Sequence, residues 1–179
     1  MRIKTFAIFL LIVILFILAL AWQMGAFKRV NLVVGECPEV LVAGVWLHAP
    51  YEEILDYADE HLLPIEKAST QITGVCALYY DNPSLILVDS LFAFAGVILS
   101  DSSAAPPNLE LRLVTPHSAV TTSFSGSAVI GQYKIYPAVE RWFASVEETW
   151  DAPTLEIYHR TKEGHRVDYY FPIVKNRLE

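Results

Sequence analysis

The pattern of apolar and polar positions divides the chain into an apolar N-terminal segment and a longer region of alternating character. Residues 6–22 contain no charged or strongly polar side chain. Taken as Phe6–Phe27, the segment makes a helix of roughly 33 Å, which matches the hydrocarbon core of a bilayer. Lys28 and Arg29 follow where interfacial anchors are expected. We therefore predict a single N-terminal transmembrane helix, with residues 1–29 as a membrane anchor and the lipid bilayer as its partner.

The same segment also fits a secretory signal peptide. Arg2 and Lys4 form its charged start, and Ala19-Leu20-Ala21 has the small residues of a cleavage site. We favour the anchor, because the apolar run is long for a signal peptide and a basic pair follows it. Basic residues flank both ends, so the sequence does not determine which side of the membrane the rest of the chain faces.

After residue 29 the pattern predicts two copies of a β-α-β-β unit, at about 38–100 and 108–175. Strands are predicted at Val40–Leu47, Gly74–Tyr80, Phe92–Leu99, Leu109–Thr115, Ala119–Phe124, Pro153–Tyr158 and Arg166–Val174. Helical spacing is found at Tyr51, Leu55, Ala58 and Leu62 in the first copy, and at Val129, Tyr133, Tyr136, Phe143 and Val146 in the second. Pro137 is expected to break or kink the second helix, or to open its second half.

A match between two strands supports the repeat. Tyr79 and Tyr158 lie 79 residues apart, and aligning them sets Ala77 of the first copy against Glu156 of the second. Self-similarity at a fixed offset is typical of two copies of one unit that pack together. We therefore predict an α+β domain over residues 30–179: one antiparallel-rich sheet with two helices on one face, and a groove between the copies.

Glu156 is the main candidate for a binding residue. In the predicted strand it shares one face with Thr154 and Tyr158, while Leu155 and Ile157 share the other. A carboxylate among aromatic rings offers a cation both charge pairing and electron-rich ring faces. The alternative is an ordinary acidic residue on the solvent face of an antiparallel strand, and the sequence leaves both open.

Charge and cysteine content exclude some partners. Four of the 13 basic residues precede Val30 and all 20 acidic residues follow it, so residues 30–179 carry a formal net charge of −11. Nucleic acid needs a basic footprint, so we expect no nucleic-acid partner. Cys37 and Cys76 form no CxxC or Cys–His pattern, so we expect no metal site. They are buried thiols in a reducing compartment or a disulfide in an oxidising one.

Motifs for catalysis are missing from the sequence. It contains no GxSxG, GxxxxGK[ST], GxGxxG or HExxH, so it indicates no enzyme and no cofactor. Ser125-Gly126-Ser127 fits a turn that caps a helix, and the five histidines lack the spacing of ligands. Trp46 and Trp142 are candidate core residues that also offer a stacking surface to a planar ligand.

The two repeats, the run Tyr79–Pro83 and the strand Pro153–Tyr158 resemble the GyrI-like domain, which is the effector-binding part of AraC- and MerR-type multidrug regulators. The resemblance covers about residues 35–175. With the N-terminal apolar segment, Gly96–Ser100 and Val120–Phe124, the chain also resembles the membrane-anchored testis-expressed ER-phagy receptor family.

The resemblance implies a groove between the repeats that binds small cationic or aromatic ligands, with Glu156 as its carboxylate and Tyr79 and Tyr158 beside it. Trp46 and Trp142 complete the predicted ligand-binding residues. The resemblance also implies a single-pass membrane protein whose domain faces the cytosol. Two alternatives follow from the same families: a membrane-tethered adaptor for a protein partner, and a small hydrolase of reactive electrophilic toxins. Because the sequence ends soon after the last predicted strand, we do not expect the tail motif of the receptor family.

Overall fold

The first described element is the apolar N-terminal helix. The computed structural model describes residues 2–82, 91–102, 105–150, 153–161 and 164–174, so Pro83 and Lys162-Glu163 of the predicted turns lie outside these ranges. Helix α1 (Arg2–Gln23) contains the window Thr5–Gln23, which has a mean hydropathy of 3.0 and is not buried against the rest of the protein. By length and composition α1 can cross a membrane, a property that signal sequences share.

The strands form one curled antiparallel sheet, close to a half-barrel. The described strands are β1 (Val33–Cys37), β2 (Val40–Ala49), β3 (Ile72–Tyr79), β4 (Leu91–Leu99), β5 (Glu110–Val114), β6 (His117–Ser125), β7 (Thr149–Trp150), β8 (Thr154–Thr161) and β9 (Gly164–Val174). Their order across the sheet is β1-β6-β9-β8-β3-β4-β2-β5, and the short β7 pairs with β9. The sequence predicted neither β1 nor β7.

The two predicted β-α-β-β units occupy the two halves of this sheet. The first consists of β2, helices α2 (Tyr51–Tyr57) and α3 (Leu63–Ala68), β3 and β4; the second consists of β6, α4 (Ala128–Val146), β8 and β9. Strands β3 and β8, which are equivalent in the two units, pair at the centre. The outer strands are exchanged: β1 precedes the first unit but pairs with β6, and β5 precedes the second unit but pairs with β2.

The first helical segment contains a π-helical turn. This turn, Ala58–Leu62, joins α2 to α3, and Pro64 lies in the first turn of α3. Proline has no N–H to donate to the carbonyl four residues earlier, and the wider turn accommodates that gap. The buried positions of the segment include Tyr51, Ile54, Ala58 and Leu62. Leu55, which was expected on the buried face, is only half-buried.

Helix α4 runs without a break from Ala128 to Val146 with Pro137 inside it, so the predicted break is wrong. Its buried face also differs from the predicted one, because Tyr133 and Val146 are exposed. The buried residues are Gly131, Gln132, Ile135, Tyr136, Val139 and Phe143. Helical spacing in an aromatic-rich segment fits more than one face, and packing against the sheet selects between them.

Both faces of the central strands are buried. One cluster packs beneath α2 and α3 and another beneath α4, while a third, with Leu78 and Leu155, fills the opposite face of the sheet. From Thr154 to Ile157, strand β8 therefore has no solvent face. Glu156 is as inaccessible as Leu155, which excludes the alternative of an ordinary surface acid.

Cys37 and Cys76 are free thiols, both buried in the cluster on the face away from α2 and α4. Burial raises the pKa of the Cys37 thiol to about 12 and that of Cys76 further. Both thiols therefore stay protonated and are poor nucleophiles. Within the described ranges, no group of three or more His, Cys, Asp or Glu side chains could hold a metal ion.

Candidate functional site

Glu156 lies where the two repeats meet. In the antiparallel pair of β3 and β8, Ala77 is opposite Glu156 and Tyr79 is opposite Thr154. The sequence alignment matched Ala77 with Glu156 and Tyr79 with Tyr158, so Ala77 is paired with its own equivalent and a local two-fold axis passes between them. The equivalent hydroxyls of Tyr79 and Tyr158 are hydrogen-bonded at 3.0 Å.

Three tyrosine hydroxyls donate to the Glu156 carboxylate. Tyr51 Oη lies 2.6 Å from Oε2, Tyr136 Oη lies 2.7 Å from Oε1, and Tyr158 Oη lies 3.1 Å from Oε2. The carboxylate is completely inaccessible to solvent. Glu156 and the tyrosines around it thus form a buried cluster, which we call the Glu156 chamber.

The tyrosines come from both repeats. Tyr51 is the first residue of α2, directly after the extended Pro50, and its ring stacks on Tyr79 with centroids 5.1 Å apart. Tyr136 lies in the middle of α4. Tyr169 is opposite Glu156 on β9 and is fully buried.

The sequence prediction brought Glu156, Tyr79 and Tyr158 into one site but missed the tyrosines that complete it. The signal for Tyr51 and Tyr136 was their membership of the two predicted helix faces, which indicated burial but not a partner. Tyr169 carried no such signal beyond its place in a predicted strand.

The pKa of Glu156 reflects this chamber. Burial raises it to about 7, while the hydrogen bonds from Tyr51, Tyr136 and Tyr158 act in the opposite direction by stabilising the carboxylate. Burial, and then the Glu156 charge, raises the pKa of each of these tyrosines well above 10, so their hydroxyls remain donors. Among the residues that the structure describes, no Lys, Arg or His forms an ion pair with Glu156.

A groove of about 330 Å³ runs between the two helical layers above β3, β8 and β9. Its walls include Leu55 and Leu63 on the first-repeat side and Ser127–Val129 at the start of α4. Tyr158 connects the groove to the chamber, because its ring lines the groove while its hydroxyl contacts Glu156. Tyr158 thus forms the partition between the open groove and the buried carboxylate.

Charged side chains line the groove as well. Asp56, Asp59 and Glu66 project from the first-repeat helices, and His159, Arg160, His165 and Arg166 come from the β8–β9 hairpin. Arg160 Nη2 donates to Asp59 Oδ1 at 3.1 Å, so an ion pair joins the hairpin to the π-helical turn. Exposed pairs of this kind contribute only about 0.2–1 kcal/mol, so this contact opens at little cost.

The two predicted tryptophans lie away from this groove. Trp46 is on the opposite face of the sheet, stacked on Phe92 at 4.6 Å with the Arg112 guanidinium 4.2 Å from its ring. Trp142 lies on α4 and packs against Phe143. The spacing of strand residues could not reveal which face of the sheet carries the groove.

The described part of the run Tyr79–Pro83, residues 79–82, connects separate parts of the protein. Tyr79 is in the Glu156 chamber, Tyr80 accepts a hydrogen bond from Arg112, Asp81 accepts one from the Phe92 backbone, and Asn82 donates to Glu140 of α4. Consecutive residues alternate between the two faces of a strand, which is why one short run reaches both.

The fold is similar to that of GyrI-like effector-binding domains at low sequence identity. The C-terminal domain of EcmrR matches with a TM-score of 0.61 and 16% identity, over 83% of this chain and 99% of that one. SAV2435, solved bound to tetraphenylphosphonium, matches with a TM-score of 0.57 and 10% identity, over 80% of this chain and 94% of that one. An integron cassette protein of Vibrio cholerae matches with a TM-score of 0.54 and 15% identity, over 80% and 96%. No family model matches the sequence, and no curated protein matches it.

Proposed function

We propose that this protein binds small aromatic cations in the groove between its two repeats, with Glu156 as the buried counter-charge. The observation that carries the proposal is a fully buried carboxylate that is surrounded by tyrosines and has no ion-pair partner among the described residues. Burying a carboxylate without a counter-ion is costly. A bound cation would supply the missing charge, and the ring faces of the tyrosines would add cation–π attraction.

An unpartnered polar atom on the same face of β8 supports a ligand site. Thr154 Oγ1 is buried two residues from Glu156 on the helix-covered face, and it has no hydrogen-bond partner among the described residues. Buried polar groups in native proteins are nearly always bonded to protein or to water. The unpartnered hydroxyl favours a site that takes up a further polar or cationic group.

The chemistry of the ligand class is supported by one structural neighbour. SAV2435 has a similar fold and was solved with tetraphenylphosphonium, a cation with four aromatic rings. The groove volume of about 330 Å³ is within the range of roughly 300–1,000 Å³ found for small-molecule sites. Because Tyr158 separates the groove from Glu156, binding requires this ring to turn aside and its hydroxyl to leave the carboxylate.

We place this site on a membrane anchor, with α1 as a retained transmembrane helix. Lys134 donates from its ammonium group to the carbonyls of Gly25 and Ala26 at 3.3 and 2.6 Å, just beyond the end of α1. These bonds hold the segment that follows α1 against the domain. Carbonate extraction of membranes is the direct check, because a cleaved protein would be released into the supernatant.

The adaptor and hydrolase alternatives have weaker support in the described residues. The described hydrogen bonds of Glu156 come from phenols, and none of them involves a serine, cysteine or histidine of the described ranges, which is the arrangement of a binding site rather than of an activated nucleophile. Hydrolysis of electrophilic substrates by the purified protein would revive that alternative. A reproducible protein partner that binds Glu156→Gln and the unmodified protein equally would favour the adaptor.

Isothermal titration of the full chain in nanodiscs with tetraphenylphosphonium at pH 8 tests the binding function. We expect Glu156→Gln to bind at least about tenfold more weakly, since a desolvated charge partner is removed. Glu60→Gln is the matched control, because Glu60 is exposed, lies outside the groove and removes the same charge. Equal affinity in Glu156→Gln, or no binding by the unmodified protein, would refute the proposal.

A further inference from the structure

The C-terminal end of α1 is held directly against the groove. The Met24 carbonyl accepts a hydrogen bond from the Ser127 backbone N–H at 3.1 Å, and Ser127 lines the groove at the start of α4. Lys134, two turns further along α4, binds the carbonyls of Gly25, Ala26 and Lys28. The anchor and one wall of the groove are therefore joined by hydrogen bonds rather than by a loose linker.

The backbone at this junction between α1 and α4 is tightly constrained. Gly25 and Gly126 both have positive φ angles, +84° and +150°. A Cβ atom on Gly126 would lie 2.5 Å from the Met24 carbonyl oxygen. Gly126 also donates its N–H to the His165 carbonyl at 2.8 Å, and His165 is another groove residue. The end of α1, the start of α4 and strand β9 thus meet at one tightly packed point.

The junction fixes the depth of the groove relative to the bilayer. Trp22 and Phe27, which flank Met24, are 73% and 58% exposed, and aromatic side chains at the end of a membrane helix lie at the headgroup level. Since Ser127 is one hydrogen bond from Met24, the α4 wall of the groove lies at that level when α1 spans the membrane.

From this placement we infer that the groove takes its ligands from the membrane interface, and that they are amphiphilic aromatic cations that partition into the bilayer. The inference rests on the proposed function, both on the cation site and on the span. Such cations concentrate where their charge contacts the headgroups and their apolar part enters the acyl chains. Asp56 and Glu66, which project from the opposite wall, add negative charge for a cation that enters from this side. A ligand that is already at the interface would then reach the groove without diffusing through bulk water.

The test measures association rates of alkyltriphenylphosphonium cations by stopped-flow fluorescence, using the full chain in phosphatidylcholine nanodiscs. Methyl, butyl and decyl members share one aromatic headgroup, while each added methylene raises bilayer partitioning by roughly fourfold. At equal free aqueous concentration we expect the association rate to increase at least about tenfold from methyl to decyl. A variant with ten Gly/Ser residues inserted between Gln23 and Met24 keeps the junction but separates it from the bilayer by about 18 Å on average.

In this insertion variant we expect the rates to lose most of their dependence on chain length, while the equilibrium affinity for the methyl compound is unchanged. Lys134→Met loosens the junction without lengthening the polypeptide. It should partly reduce the dependence of the association rate on the alkyl chain length of the ligand. The same chain-length dependence in the insertion variant would overturn the inference, since the apolar preference would then belong to the groove itself. Absence of any cation binding would instead refute the proposed function.

Discussion

The affinity for cations should depend on pH through Glu156. Burial raises the pKa of its carboxyl to about 7 in the free protein, and a bound cation lowers that pKa because it stabilises the carboxylate. At a pH between the pKa of Glu156 in the complex and its pKa in the free protein, Glu156 is protonated in the free protein and ionised in the complex. Binding of the cation therefore releases a proton. Affinity must therefore rise as the pH increases and level off above the free pKa.

The size of the effect follows from the same two pKa values. If the cation returns the pKa of Glu156 to its ordinary 4.5, affinity at pH 5.5 is about 30-fold lower than at pH 8. A smaller displacement of the pKa gives a proportionally smaller loss. Calorimetric titration with tetraphenylphosphonium from pH 5.5 to 8 measures the slope, and titrations in buffers of different ionisation enthalpy count the released proton.

Two histidines provide the main competing explanation. His159 and His165 also line the groove, and a positive charge on either imidazole would repel a bound cation. The Glu156→Gln variant separates the two causes. Its affinity should be low and almost independent of pH. A slope that persists in this variant, or tight binding by the unmodified protein with no slope, would refute the assignment of the charge to Glu156.

Further outcomes follow from other measured contacts. Because the pKa of Glu156 is raised in the folded state, its favourable contribution to stability is present below pH 4.5 and is lost as the pH rises through about 7. Urea unfolding should therefore show that the free energy of unfolding falls by about 3 kcal/mol over this pH range, relative to the change in Glu156→Gln. Tyr136→Phe removes a donor to the carboxylate, so the midpoint of the affinity profile should move to higher pH; an unchanged midpoint would contradict the contact. Gly96→Ala places a Cβ atom 2.3 Å from the Ala43 carbonyl oxygen, and we expect a much lower melting temperature than for Gly74→Ala, whose Cβ meets only a side-chain carbon at 3.6 Å.

Much of the fold could be predicted because the spacing of apolar residues is strand-like and helix-like in the same order in both repeats. The predicted Phe92–Leu99 differs from β4 by one residue, and Gly74–Tyr80 overlaps β3, since both strands are continuous apolar runs. Strand β1 was missed because its five residues contain Gly35 and their partners on β6 lie 80 to 88 residues away in the sequence. Pairing over that distance is decided by the folded sheet rather than by local propensity.

The candidate site could be predicted only in part for a similar reason. Alternation along the strand placed Glu156 and Tyr158 on one face, but not the helices that cover this face. Tyr51 is 105 residues from Glu156 in the sequence, and the 2.6 Å contact depends on how α2 packs on the sheet. A two-residue period identifies neighbours on one strand and cannot identify donors that arrive from separate helices.

The pairing of Ala77 with its own equivalent, Glu156, has a consequence for symmetry. Two separate single-repeat chains could form the same central strand pair as a homodimer, but both would then carry the same residue at the axis. Two glutamates opposite each other on adjacent strands would lie about 5 Å apart, and neither could ionise freely beside the other. Two alanines would leave no charge at all. Joining both repeats in one polypeptide removes this restriction, and it allows a single negative charge to lie between two halves with the same order of strands and helices.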